Sequence, residues 1–498
     1  MNYVIGVDLG TSAVKVLLVS RSGEVVDEVS KSYPLYHDAP GHSEQDPDDW
    51  VKETKAALKE LTGRLSQEDS VEGLSFSGQM HGLVLLDEDR KPLRRAILWN
   101  DTRTTTECRE IETNTGLERL HELTKNPALE GFTLPKLLWV KKHEPDVFNQ
   151  GNVFLLPKDY VRFRLTGDIH MDYSDAAGTL LLNVAAKSWS QEVADANGIN
   201  LDWCPPLVGS HEETGTITEE AAQETGLTTS CKVFAGGADN ACGAIGSGIL
   251  EDGITLCSTG TSGVVLSYEA TGDKDFAGNV HYFNHGAPDA FYTMGVTLAA
   301  GYSLSWYKDT FAKDQSFESL LEEAAHSPAG AKGLLFTPYI VGERTPHADS
   351  EIRGTFTGVH ANHSRGDFTR AVLEGITFSL NETVENFRDK GKNVSKIISI
   401  GGGAKSSLWL QIQADIFGSE VVTLKSEQGP GMGAAMLAAF GCGWYPSLKD
   451  CADTFVGEAA SYQPDQDNRA LYKKLFNIYQ EVYGATKSIH HRLEEFRA

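Results

Sequence analysis

Residues 3–19, YVIGVDLGTSAVKVLLV, decide the fold of this chain because a second stretch, ITLCSTGTSGVVLSY at residues 254–268, repeats their pattern. Each stretch places Gly-Thr-Ser between two apolar runs of the kind that form β-strands. Each therefore predicts a tight hairpin. Two such hairpins half a chain apart predict two similar halves that face each other across a cleft.

The turns of both hairpins suit phosphate groups. Glycine lets the backbone approach a ligand closely, and the hydroxyl and N–H groups of a turn can donate to phosphate oxygens. Thr11 and Ser12 supply these groups in the first turn, and Gly260 and Thr261 belong to the second. We expect a nucleoside triphosphate between them. The alternative is two unrelated hairpins, since glycine also marks ordinary turns.

The two turns differ in charge. Asp8 lies two residues before the glycine of the first turn, where the second has Ser258. A carboxylate beside a triphosphate is a place for Mg²⁺, held directly or through water. We therefore expect Asp8 to be the residue on the metal side, in halves that are duplicated but specialised.

The composition is that of an ordinary globular protein with two domains. The chain has 498 residues, of which 40% are hydrophobic and 23% charged, and a formal net charge of -25. This negative excess disfavours nucleic acids and anionic membranes as partners. No apolar run approaches the ~20 residues that span a bilayer, and we expect no targeting segment. The seven cysteines have no metal-ligand spacing, which predicts reduced thiols in the cytoplasm.

Strand-like and helix-like segments alternate along the chain, which predicts an α/β protein. Residues 3–36 predict three strands, and Asp46 is expected to cap a helix that runs to about Gly63. A last helix is predicted over roughly residues 468–497.

Asp239 follows a strand and two glycines and begins a helix of small residues. An aspartate at a helix start most often only caps the helix. The N-terminus of a helix also stabilises a carboxylate. We therefore expect Asp239 to stay ionised and able to accept a proton from a hydroxyl group.

A third glycine-rich turn, with Gly402, Gly403 and Ala404, connects a predicted strand to a helix. Its backbone can lie flat against a planar or anionic ligand, or can simply form a tight connection. The pattern is neither the dinucleotide-binding G-x-G-x-x-G nor the phosphate loop G-x-x-x-x-G-K-[ST].

Two polar loops are candidates for a second ligand. Met80 and His81 lie between glycines, where hydrogen-bonding groups and a thioether suit a polyol, although a lone histidine is more often a packing residue. Trp99 precedes Asp101 and Arg103. These three residues either line a sugar site or form an ordinary ion pair beside an aromatic ring.

Six motifs appear in order along the chain. They are DLGTS at 8–12, GQMHG at 78–82, LWND at 98–101, GADN at 237–240, GTSG at 260–263 and GGGA at 401–404. On these motifs the chain resembles the FGGY carbohydrate kinases from end to end. Three further stretches make it most similar to the members that phosphorylate xylulose: LPKDY at 156–160, SDAAGT at 174–179 and GERTPH at 342–347.

The resemblance implies an α/β fold with two ribonuclease-H-like domains of the actin, hexokinase and Hsp70 superfold, residues 1–246 and 247–498, and an active-site cleft between them. It implies ATP-dependent phosphorylation of D-xylulose to D-xylulose 5-phosphate, with Mg²⁺. The roles it implies are the catalytic base for Asp239, the metal side for Asp8, phosphate binding for Thr11, Ser12, Gly260 and Thr261, the nucleotide pocket for Gly402, Gly403 and Ala404, and sugar binding for Met80, His81, Asn240 and Trp99.

Two other functions stay open at this point. Another ketose or a polyol, such as ribulose, is the alternative substrate, because single pocket contacts decide between sugars. A non-catalytic ATP-binding or sugar-binding protein of the same superfold is the alternative from a different class. A homodimer is the default expectation. Glu343 and Arg344 fit a conformational loop or an ion pair equally well.

Overall fold

The computed structural model describes residues 1–497. Its strands are β1 Asn2–Leu9, β2 Ala13–Ser20, β3 Val25–Ser32, β4 Glu44–Gln45, β5 Ser70–Gly78, β6 Val84–Leu86, β7 Ala96–Ile97, β8 Val153–Leu155, β9 Met171–Asp172, β10 Leu182–Asn183, β11 Ser188–Trp189, β12 Leu207–Val208, β13 Glu213–Thr216, β14 Lys232–Phe234, β15 Gly237–Ala238, β16 Gly253–Thr259, β17 Gly263–Glu269, β18 His281–Asn284, β19 Phe291–Thr297, β20 Leu335–Thr337, β21 Thr355–Thr357, β22 Val394–Gly401, β23 Glu420–Leu424 and β24 Glu458–Tyr462.

Its α-helices are α1 Pro47–Thr62, α2 Thr105–Thr115, α3 Leu117–Thr124, α4 Thr133–His143, α5 Pro145–Phe148, α6 Pro157–Thr166, α7 Tyr173–Ala177, α8 Gln191–Asn197, α9 Glu219–Thr225, α10 Asp239–Gly246, α11 Gly301–Phe311, α12 Phe317–Ala325, α13 Arg365–Asp389, α14 Ser407–Phe417, α15 Gly429–Gly441, α16 Leu448–Phe455 and α17 Gln466–Arg492. Short 3₁₀ turns cover Leu201–Trp203, Ala331–Gly333, Gly402–Lys405 and Glu494–Phe496.

Each half is built on one large sheet, and the two sheets have the same plan. The first has the order β13-β14-β5-β1-β2-β3, with β15 added to β5, and the second has β18-β19-β17-β16-β22-β23-β24. In both, a hairpin is followed by a third antiparallel strand on one side and by two parallel strands on the other. This is a duplicated ribonuclease-H-like fold, so the predicted fold and both hairpins are confirmed.

The register of the first sheet brings candidate residues to one edge. Asp8 lies opposite Ser77 in the parallel strand β5, and Ser77 lies opposite Gly237 in β15. Because β1, β5 and β15 run in the same direction, the segments that follow them emerge side by side. Ligands of open α/β sheets bind at this carboxyl edge.

The halves meet where α15 packs on α10 and on the first sheet. A Cβ added to Gly433 would lie 1.9 Å from the carbonyl oxygen of Cys242, and one added to Gly246 would lie 2.3 Å from that of Gly429. The two helices therefore touch backbone to backbone. Small residues are required at this crossing because a side chain has no room there.

Several predictions about single elements can be compared directly with the structure. Asp46 caps α1 as predicted, since its side chain accepts a hydrogen bond from the N–H of Asp48 at 3.0 Å. The last helix was predicted too far along the chain, because α17 ends at Arg492 and only a 3₁₀ turn follows. All seven cysteines are free thiols, as predicted. Over residues 1–497, no helix is both long enough and apolar enough to cross a membrane.

Candidate active site

Asp239 is the first residue of α10, at the carboxyl edge of the first sheet. Its Oδ1 accepts a hydrogen bond from the N–H of Asn240 at 2.7 Å, and the side chain is half-buried. Burial, with the charge of Asp8 added, raises the pKa of Asp239 to about 7. The expectation that the helix start keeps this group ionised is therefore corrected: desolvation and a second carboxylate outweigh the helix dipole.

Asp8, near the end of β1, is the carboxylate expected to lie beside the metal ion. Burial raises the pKa of Asp8, while Ser77 and Lys15 oppose the shift. The charged form therefore lacks enough compensation from the protein itself. A divalent cation would supply that compensation, so the chemistry of the donor fits Mg²⁺.

The first turn presents unused N–H groups. The carbonyl of Thr11 accepts from Gln45 Nε2 at 2.7 Å, and the Ser12 carbonyl accepts from the N–H of Tyr33 at 3.3 Å. The N–H groups of Thr11 and Ser12 themselves have no acceptor among residues 1–497. Fixing the carbonyls behind the turn leaves these donors free for an anion, and the predicted phosphate chemistry fits them.

The second turn joins the third glycine turn around one cavity. Thr259 lies opposite Gly401 across β16 and β22, so Gly260 and Gly402 continue from neighbouring strand ends. The cavity has a volume of about 560 Å³, and its lining includes Gly260, Thr261, Gly402 and Gly403. Four predicted nucleotide residues thus share one site of a size suited to a small ligand. Ala404 is not part of the lining and packs against the core instead.

The apolar wall of this cavity comes from residues that carry no sequence motif. Tyr302, Leu304, Phe317 and Leu321 line it from α11 and α12. Tyr302 and Phe317 expose 44% and 40% of their surface, so they present apolar area to the cavity that they line. Such walls suit a planar aromatic base. Sequence reasoning missed them because an aromatic residue on an amphipathic helix is usually part of the core.

Met80 and Asn240 are brought together beside Asp239. Asn240 Nδ2 donates to Met80 Sδ at 3.5 Å, although 160 positions separate the two residues. Met80 follows β5 and Asn240 is the second residue of α10, so both come from the same sheet edge. The predicted polyol contacts therefore flank the predicted base.

The ring of His81 is held in one neutral form. Its Nδ1 lies 2.7 Å from the carbonyl oxygen of Gly178, which can only accept, so Nδ1 carries the proton. Burial, together with the charge of Lys136, lowers the pKa of His81 to about 3. Nε2 is consequently a hydrogen-bond acceptor with no partner among the described residues, which suits a substrate hydroxyl.

The backbone at His81 is held by two donors that sequence reasoning missed. His81 adopts a left-handed conformation with φ 69°. Its carbonyl accepts from Thr133 Oγ1 at 3.0 Å and from Lys136 Nζ at 3.2 Å. Burial lowers the pKa of Lys136 to about 7. A lysine inside the apolar pattern of α4 was the one available signal.

Trp99 lies at the first turn. Its Nε1 donates to Thr11 Oγ1 at 3.0 Å, and 48% of its surface is exposed. Asp101 and Arg103 form a buried ion pair at 2.7 Å, so the ion-pair interpretation holds for them.

Glu343 and Arg344 do not form an ion pair through their side chains. Glu343 Oε1 accepts from the N–H groups of Leu298 at 3.0 Å and Arg344 at 2.8 Å, and Oε2 accepts from Ser379 at 3.2 Å. Burial raises the pKa of Glu343 to about 8. This carboxyl group therefore fixes a loop, and the Arg344 side chain is left exposed.

Comparisons with known proteins agree with this geometry. The chain matches the model of the FGGY family of carbohydrate kinases, N-terminal domain, over residues 3–246, and the C-terminal domain model over residues 255–442. It is 58% identical over 498 residues to a xylulose kinase of Bacillus subtilis, with 100% of both chains covered.

Solved structures extend the likeness to three dimensions. A ligand-bound xylulose kinase from Lactobacillus acidophilus matches with a TM-score of 0.94 and 28% identity, over 99% of this chain and 100% of that one. A gluconate kinase from the same organism matches with a TM-score of 0.93 and 29% identity, over 99% and 100% of the two chains. With both family models matched and a relative identical at more than half its positions, the chain belongs to the FGGY family of carbohydrate kinases.

Proposed function

We propose that this carbohydrate kinase transfers the γ-phosphoryl group of ATP to the 5-hydroxyl of D-xylulose, forming D-xylulose 5-phosphate and ADP. The observation that carries the proposal is the carboxyl group of Asp239, which lies beside Met80 and Asn240 and is coupled in charge to Asp8. The xylulose kinase named among its relatives supports the choice of sugar.

The residues of the cleft have separate roles in phosphoryl transfer. Asp239 accepts the proton of the sugar hydroxyl. The oxygen of that hydroxyl bonds to the γ-phosphorus of ATP, and the bond between this phosphorus and ADP breaks. His81 Nε2 accepts a hydrogen bond from another hydroxyl of the sugar and so fixes the orientation of the sugar's carbon chain. Closure of the cleft excludes water, which would otherwise compete as the acceptor.

The triphosphate is held by donors from both halves. The free N–H groups of Thr11 and Ser12 face it from the first turn, and Gly260 and Thr261 from the second, while Gly402 and Gly403 border the nucleoside. Ala404 supports their turn from behind. Mg²⁺ would be held on the side of Asp8 and supplies charge neutralisation of the phosphates. Trp99, whose indole N–H donates to Thr11 Oγ1, is a further contact for the sugar at this edge of the cleft.

A coupled ADP-release assay with Mg·ATP tests the function. The panel is D-xylulose, D-ribulose, L-ribulose, L-xylulose, glycerol and gluconate. We expect strong, selective release with D-xylulose. Release with another sugar would keep the kinase but reject the substrate. Folded protein that binds ATP and releases no ADP with any sugar would be a non-catalytic binding protein.

Gluconate is the second candidate substrate, because a gluconate kinase matches the fold as well as a xylulose kinase does. Its carboxylate would need a cation near the sugar site, and the charges of both Lys136 and Arg344 act on His81. Lys136 Nζ already donates to the carbonyl groups of His81 and Gly131, so Arg344 is the cation that a carboxylate would use.

We also propose that residues 1–246 and 247–498 act as the two moving units, and that the enzyme works in the cytoplasm as a homodimer. Size-exclusion chromatography with light scattering tests the last point. A monomer at micromolar concentration would reject it.

A further inference from the structure

The helix that presents Asp239 does not cap itself. The N-cap residue of α10 is Ala238, whose side chain offers no hydrogen-bonding group. An N-cap side chain normally accepts from the N–H of the second or third helical residue, and in α10 it is Asp239 Oδ1 that accepts from the N–H of Asn240. The N–H of Ala238, directly before the helix, is bound by a residue far away in the sequence.

This distant residue is Ser174. The N–H of Ala238 donates to Ser174 Oγ at 2.9 Å, in a fully buried contact. The Ser174 hydroxyl in turn donates to Asp172 Oδ2, which also accepts from the Ser174 N–H at 2.8 Å. With its single proton directed at Asp172, the hydroxyl has its lone pairs free for Ala238. One arrangement of the hydroxyl is thus enforced.

A buried group of charges fixes Asp172. Lys158 Nζ lies 2.7 Å from Asp172 Oδ1, 2.7 Å from Asp159 Oδ1 and 2.9 Å from Asp175 Oδ2, and all four side chains have an exposed fraction of 0%. Three carboxylates that converge within 4.8 Å resemble a cation site. The Lys158 ammonium occupies the centre where a metal ion would otherwise sit.

The same group holds the segment before Ala238. Arg162 Nη1 pairs with Asp159 at 2.9 Å and donates to the carbonyl of Ala235 at 2.7 Å. Gly236 N–H donates to the Ser210 carbonyl at 2.9 Å. The backbone is therefore anchored at three positions in the four residues that lead to Asp239.

We propose that Ser174, oriented by Asp172 and Lys158, is a positioning residue for the catalytic base: its hydroxyl holds the N–H of Ala238, the residue directly before Asp239, and hence the direction of the Asp239 carboxylate. The inference rests on the proposed role of Asp239. A base displaced by about 1 Å can lose about 10²-fold in rate, while ligands that contact other residues bind as before.

The test is a double-mutant cycle with residual turnover as the readout. Ser174→Ala should lower kcat by 10- to 100-fold and leave both KM values within about twofold. In the Asp239→Asn background the same substitution should have no further effect, because there is no base left to position. Ser174→Thr, which keeps the hydroxyl, should recover most of the rate.

The matched control is Ser419→Ala, which removes another buried hydroxyl, one that donates to the Val394 carbonyl at 2.6 Å. It should leave kcat unchanged. Asp172→Asn is the second variant in case Ser174→Ala does not fold. It should lower kcat when Asp239 is present and cause no further loss in the Asp239→Asn background. Equal losses in both backgrounds, or matching rises in KM, would overturn the inference. High activity of Asp239→Asn alone would instead reject the base assignment.

Discussion

Asp239 is the residue on which the chemistry depends. Asp239→Asn keeps the shape and the hydrogen bond to the Asn240 N–H but cannot accept a proton. We expect kcat to fall by at least about 10³-fold, while ATP and sugar still raise the melting temperature on binding. Stopped turnover with intact ligand-induced stabilisation confirms the role. Near-normal turnover would defeat it.

The raised pKa of Asp239 links activity to pH. The base must be ionised, so kcat/KM should fall about tenfold per pH unit below pH 7. A folded pKa of about 7 against the ordinary 3.8 means that the folded state binds this proton more tightly. The resulting stability is present below pH 3.8 and is lost as the pH rises through 7.

Asp239→Asn should therefore be more stable than the parent at pH 8, by at most about 4 kcal/mol, with the difference shrinking toward pH 4. Chemical denaturation across this range measures it. An equal or lower stability of the variant at pH 8 would show that ionisation of Asp239 does not reduce the free energy of unfolding.

At the scale of single elements, α12 is expected to act in nucleotide binding alone. Phe317→Ala removes part of the apolar wall beside Gly402 and should raise the KM for ATP by about 5- to 20-fold with the sugar KM unchanged. Phe311→Ala is the control, since Phe311 is 58% exposed and does not line the cavity. A rise in the sugar KM of the Phe317 variant would contradict the assignment.

Elements with strong local signals could be predicted from sequence, and contacts between distant elements could not. The hairpins at Gly10 and Gly260 follow from alternating apolar runs and glycine turns, and α1 follows from Asp46 and Pro47. The pairing of β16 with β22, which builds the nucleotide cavity, joins strands more than a hundred residues apart. No local pattern encodes such a register.

The residues of the candidate site also fall into those that local sequence predicts and those that depend on contacts between distant elements. Asp8 and Asp239 stand at strand ends where function is common, so residue type and position identify them. Their mutual effect on pKa depends on burial and on the spacing of strands, which only the folded chain sets. Ser174 belongs to the SDAAGT stretch and Lys136 to the apolar pattern of α4, but the contacts that give them a role, with Ala238 and with the His81 carbonyl, join distant segments that no local pattern relates.

For the whole molecule, the crossing of α10 and α15 is the joint between the halves. Gly433→Ala places a methyl group on the Cys242 carbonyl and should cost more than about 2 kcal/mol in the free energy of unfolding. Gly484→Ala in α17 is the control, since an added Cβ meets nothing within 4 Å and should stabilise by about 0.5–1 kcal/mol. Equal effects of the two variants in denaturant titrations would show that the crossing has spare room.

Contact between bare backbones at this joint also bears on how fast the enzyme can work. At the glycines no side chains interlock, so the crossing can act as a pivot, while Leu17 and Met432 beside it belong to one apolar cluster that stays packed as the halves turn. Opening of the cleft away from this pivot moves protein surface through water. Where product release limits turnover, kcat should fall in proportion to solvent viscosity as sucrose is added, whereas slow chemistry in Asp239→Asn should make that variant insensitive to it.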